Sequence, residues 1–301
     1  RYSIEQAISD RAQLTTMAFS GLAFIAGDFG ASSLIPPGKV CDFFGFQYMR
    51  DIDVAQKGHS HMFLDMAAGN VLYVFNDQQR QVFADLALKQ STGLEELALM
   101  RLPLVQAFHR QLSSQIPQGA QALSKEAVIQ YSAQIFALDA QISLERAQAF
   151  GQVIGSLNDE QRAWLDKMQF DDSSTWPDKD VRDQPRPTGQ SKLASVAYMT
   201  FASEMFSWYA GSVEADTYFC PERHATYFGA FYMKGQPARD QQRDYDIPTN
   251  LTGDKGELFM NCLTDEQRDL MYSALEAQRP LLQEIVEVRR EMSTEMRKHM
   301  N

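Results

Sequence analysis

The residues best suited to metal chemistry lie in Gly58-His59-Ser60-His61-Met62-Phe63-Leu64-Asp65-Met66. Two imidazoles two positions apart, followed by a thioether and a carboxylate, suit a copper or zinc ion held by His59, His61, Met62 and Asp65. Met66 falls on an apolar stretch that needs packing, so a core helix with incidental histidines is the competing reading. A second cluster, Met292, Met296, His299 and Met300, shares one helical face at spacings of three, four and seven. Thioether and imidazole suit Cu(I), whereas methionines at helical spacing also serve as ordinary core.

Acids set within apolar helices are the next candidates, because a buried carboxylate must find a partner or stay protonated. Asp65, Asp139 and Glu204 qualify, with Glu214 and Asp216 further along. A ligand pocket built from Glu204, Glu214, Asp216, Arg223 and His224 is one reading; salt bridges to Arg80, Arg146 or Arg223 are the other. Cys220 stands just before Pro221-Glu222-Arg223-His224, where a helix dipole and Arg223 would favour a thiolate nucleophile. A disulfide or an inert thiol explains the same residues. Cys41 paired with Cys220, leaving Cys262 free, suits an exported protein; three reduced, packed cysteines is the alternative.

Several chemistries are disfavoured by what the sequence lacks. Gly-x-Gly-x-x-Gly, P-loop, Gly-x-Ser-x-Gly, haem-attachment and paired Glu-x-x-His motifs do not occur, which weighs against nucleotide, hydrolase, cytochrome and di-iron readings. A net charge of −11 with no basic stripe argues against a nucleic-acid surface. The longest uncharged run, Ala12 to Gly27, is interrupted by Gln13, Thr15, Thr16 and Ser20, and falls short of the roughly 20 apolar residues a spanning helix needs. No transmembrane span is expected. The sequence shows no initiator Met and no signal peptide, and a chain beginning at Arg1 is expected to be a mature or trimmed product.

These groups must be positioned by helices, since helical periodicity dominates and alternating strands are absent. Val128, Tyr131, Ile135, Leu138, Ile142, Ala149 and Val153 draw one stripe on a long helix between Lys125 and Ser156. Met271, Leu275, Leu282, Ile285, Met292 and Met296 draw another near the C-terminus. Phe63 to Phe75 and Ala194 to Phe219 are apolar nearly all round and should be central. Further helices are expected near Ile4 to Ala26, Gly93 to Leu112 with a kink at Pro103, and Glu222 to Lys234. Loops are expected at 27–40, 171–189 and 235–256, from their Gly, Pro and Asp content. The expected class is all-α, a multi-helix bundle of eight to ten helices built from hairpins with long aromatic-rich loops. Its portions would be 1–170 and 190–301, joined by a linker-like 171–189, or packed as one domain.

One signal recurs three times: Phe75-Asn76-Asp77-Gln78-Gln79-Arg80, Leu157-Asn158-Asp159-Glu160-Gln161-Arg162 and Leu263-Thr264-Asp265-Glu266-Gln267-Arg268. Each supplies a capping Asn or Thr, an Asp for the first turn and a Gln at the third helical position, the elements of a capping box. Each should mark a corner between two helices. A helix followed by Leu-Thr-x-x-Gln and another helix resembles the LTxxQ proteins of the bacterial periplasm, the Spy- and CpxP-like stress chaperones and their metal-sensing relatives. Leu263 to Gln267 matches in full; the other two carry Asn in place of Thr. The chain is longer and more acidic than such proteins. The resemblance implies a periplasmic or secreted, non-enzymatic helical binding protein acting in the stress response, holding an unfolded client or a small ligand. Two alternatives are a copper- or zinc-binding envelope protein using His59 and His61, and an enzyme with a carboxylate, Cys and His pocket around 204–224.

Overall fold

The computed structural model describes residues 9–11, 13–14, 17–18, 61–169, 173–177, 191–210 and 258–300. These are 81% helical and contain no strand, so the all-α class expected from the periodicity is what the chain adopts. In chain order the long elements are α1 (His61–Val74), α2 (Asp77–Leu112), α3 (Lys125–Gly155), α4 (Asp159–Lys167), α5 (Lys192–Tyr209) and α6 (Asp265–Arg297). Residues 10–11, 13–14, 17–18 and 258–261 are also helical. The expected helix at Glu222 to Lys234 lies outside the described residues.

Helix ends follow local chemistry. Ser124 and Ser191 cap α3 and α5, their hydroxyls accepting from the backbone N–H of Ala127 and Ala194 at 3.1 and 3.2 Å. At the far end of α2, Ser114 takes a left-handed φ of 56°. The N–H of Gln115 then turns back to the Arg110 carbonyl at 2.9 Å, closing the helix as a Schellman turn does. Pro103 sits inside α2 and Pro280 inside α6 without ending either. The expected Gly93–Leu112 helix is therefore the second half of a 36-residue rod that starts at Asp77. Nothing in 77–92 breaks a helix, and Asn76 starts one.

The chain forms two compact units that interleave in sequence. One gathers Arg1–Gly58, Leu94–Ala140 and Pro221–Arg289; the other His59–Gly93, Gln141–Cys220 and Arg290–Asn301. The segment 171–189, expected as a boundary, falls within the second unit, and only 173–177 of it is described.

The second unit has the denser described core. Here α1 lies along α5 and touches α4. Phe75, Phe83, Phe150 and Phe201 form a chain of rings with successive centroids 5.8, 5.8 and 6.5 Å apart, the last two contacts edge-on. All four are fully buried, which makes this row a large share of the unit's hydrophobic stabilisation. Gln90 donates to the Ile142 carbonyl at 2.9 Å, and the Ile142 side chain packs on α2 beside Gly93. Gly151 does permit a close approach: a Cβ there would collide with the backbone of His299 and Met300. The C-terminal turn thus seats directly on α3, with Met296 and Met300 buried.

In the first unit, the Tyr131 hydroxyl donates to the Met100 carbonyl at 2.6 Å, tying α3 to α2. Arg279 of α6 grips Asp10 with two hydrogen bonds of 3.1 and 2.9 Å. Leu14, Leu104, Ile135, Leu275 and Leu282 are buried there.

Candidate functional site

All three recurrent hexamers are helix corners with a complete capping box. The backbone N–H of Gln79, Gln161 and Gln267 donates to the side chain of Asn76, Asn158 and Thr264 at 2.9, 2.8 and 3.2 Å. The Gln carboxamide oxygen in turn accepts from the cap's own N–H at 3.0, 3.0 and 2.9 Å. The arginine that follows folds back over the corner: Arg80, Arg162 and Arg268 donate to the carbonyls of Leu72, Ile154 and Met260, each eight residues earlier. Those carbonyls lie in the last turn of the preceding helix, where those of Ile154 and Met260 also accept from the N–H of Leu157 and Leu263, and the guanidinium adds a charged donor that complements the helix dipole. This use of arginine was not anticipated from the sequence, although its identical position in all three hexamers was the signal for it.

The first two corners meet. Gln79 Nε2 donates to Gln161 Oε1 at 3.2 Å, and Gln161 Nε2 donates to Gln79 Oε1 at 2.7 Å. Each carboxamide also reaches the residue two before the partner's cap. Gln161 donates to the Val74 carbonyl at 2.9 Å, and Gln79 to the Ser156 carbonyl and hydroxyl at 3.2 and 3.0 Å. The exchange has the form of a local twofold. Gln79 and Gln161 are 2% and 7% exposed, so the amide pair is a buried polar network whose bonds are made.

The third corner has no such mate among the described residues. Gln267 is exposed, and the apolar positions around it differ in the same sense. Phe75 and Leu157 before the caps are buried, while Leu263 is half-buried; Phe83 and Leu165 seven after the caps are buried, while Met271 is half-buried. Leu270 is 72% exposed. Along α6 this exposure continues through Leu281 and Val288, 59% and 52% exposed. Spacings of eleven and seven keep the three on one helical line, separate from the buried line of Leu275 and Leu282. Over eighteen residues the exposed line runs about 27 Å. The sequence reading followed the buried stripe of α6 and missed this second one.

Of the expected metal ligands, His59 lies outside the described residues, as do the side chains of His61, Met62 and Asp65. Met296 and Met300 are buried within the second unit and His299 is exposed, so that cluster serves packing. Among the described residues no group of three or more His, Cys, Asp or Glu converges. Of the expected pocket, Glu214, Asp216, Arg223 and His224 lie outside the described residues, with Cys41 and Cys220. Cys262 is a free, exposed thiol two residues before the third cap.

Glu204 is described, and it faces Arg146. The two are fully buried with Arg146 Nε 3.2 Å from Glu204 Oε2, and the guanidinium also lies 6.0 Å from the centre of the Phe201 ring. The salt-bridge reading of this acid therefore applies. Asp139 is also buried, on α3. At the surface of the same unit, burial acts to raise the Glu145 carboxyl, but hydrogen bonds from Gln90 and Lys89 and the Lys89 charge outweigh it and hold it below the usual range. Burial and the hydrogen bond to Asp166, 2.9 Å away, push the Tyr209 hydroxyl up. No helix among the described residues is long and apolar enough to cross a membrane.

Comparison with protein families, with curated proteins and with solved structures finds no match to this chain.

Proposed function

We propose that the chain is an exported, non-enzymatic helical binding protein of the bacterial envelope, chaperone-like in action, which holds an unfolded client or a small apolar ligand. The exposed line of Leu270, Leu281 and Val288 on α6 carries this reading. Three large apolar side chains aligned on one side of α6, on an otherwise acidic surface, are costly to leave in water and mark a place where another molecule is held. The three capped corners support it by kind, since Leu263 to Gln267 carries the Leu-Thr-x-x-Gln pattern and the other two carry it with Asn in place of Thr. Envelope location and a stress role follow from that likeness.

The test is client aggregation. Purified chain without nucleotide is expected to slow the light scattering of a chemically unfolded client at near-equimolar ratio. Leu281→Asp with Val288→Asp should lose at least about tenfold in client affinity, because two desolvated apolar contacts of about 1 kcal/mol or more each are replaced by charges. Equal scattering with and without the chain removes the proposal.

A further inference from the structure

The pairing of the first two corners shows what such a corner binds: another corner of the same kind. Each Gln gives one amide donor and one acceptor to its mate and sends its second N–H to the carbonyl two residues before the mate's cap. A carboxamide is complementary to a copy of itself, so the arrangement requires no difference between the two partners. At the third corner Thr264 and Gln267 form the same capping box, and Arg268 makes the same return bond. What is absent among the described residues is the mate: Gln267, whose equivalents Gln79 and Gln161 are buried, stands exposed, and so does Leu270 one turn further on.

We propose that two copies of this chain associate through the third corner about a true twofold axis. Each Gln267 pairs with the other copy's Gln267 and donates to the carbonyl of the other copy's Cys262, with Leu270 enclosed. Such an interface is isologous, the same patch on both partners, and closes at two copies. Acidic residues do not oppose it in kind, since Asp77 and Asp159 hold the equivalent first-turn position at the corners that already pair. Leu270 is the one residue shared with the client-binding line, so the two readings are separated by their variants: pairing is tested at Gln267 and Cys262, client binding at Leu281 and Val288.

Sedimentation equilibrium of the full chain over a concentration series tests it. The wild type is expected to pass from monomer to dimer. Gln267→Glu keeps the capping box, because Glu serves that position as well as Gln, but it sets two carboxylates face to face across the axis. It should weaken association tenfold or more with the circular dichroism spectrum unchanged. Leu270→Asp should act in the same direction. Cys262, identified by peptide mass mapping, supplies a second readout: a short bismaleimide should join two copies at Cys262 in the wild type and fail to do so in Gln267→Glu. A wild type that stays monomeric, or a dimer indifferent to Gln267→Glu and not joined through Cys262, overturns the inference while leaving the client test standing.

Discussion

Arg146 and Glu204 set the energetic stakes at the level of single residues. Both were visible in the sequence as charges within apolar periodicity, and the requirement that a buried acid be paired was enough to suggest arginine as its partner. Which of several arginines would serve was not legible, because the choice depends on how α3 and α5 pack inside the second unit. Desolvating both charges offsets most of their attraction, so the pair contributes little net stability but becomes expensive when halved. Arg146→Met should therefore destabilise the chain by about 3–5 kcal/mol, because Glu204 loses the buried guanidinium it faces. Arg146→Met combined with Glu204→Leu should recover most of that loss, as read from urea midpoints. Losses that simply add would show that the two side chains do not act on each other.

At the level of elements, the corners were the most legible part of the chain, since a capping box is local chemistry written in four consecutive positions. Their pairing was not legible: positions 79 and 161 are distant in sequence, and only tertiary packing decides which corner is buried. The same substitution should accordingly have unequal effects. Gln161→Ala removes a cap bond, both hydrogen bonds of the buried amide pair and the donor to the Val74 carbonyl, a loss of about 2–4 kcal/mol. Gln267→Ala removes one exposed cap bond and should cost less than about 1 kcal/mol, measured at a concentration where the chain is monomeric. Equal losses at the two corners would mean that the buried amide pair contributes nothing beyond the caps themselves. Stripe reading along α6 failed in an instructive way for a related reason. Leu275 and Leu282 fit one face and Leu270, Leu281 and Val288 another, and periodicity alone cannot say which of two apolar lines meets the core.

At the level of the whole molecule, composition shaped expectations about partners more than about fold. A net charge of −11 disfavours polyanions, yet it bears equally on how one copy meets another. The third corner carries Asp265, Glu266 and Asp269 against Arg268, and Arg268 is already engaged with Asp265 at 3.0 Å. Two such ends brought together repel over a distance comparable with the Debye length, about 10 Å at 0.1 M salt. The attraction proposed there comes from neutral amides and apolar burial, which salt does not screen. Raising the salt concentration should thus strengthen dimerisation several-fold, chiefly through a faster on-rate, before levelling off as the repulsion is fully screened. Sedimentation at a fixed chain concentration across a salt series reads this directly. Association that weakens steadily with salt would point to an interface built from ion pairs, and so to a surface other than the Gln267 corner.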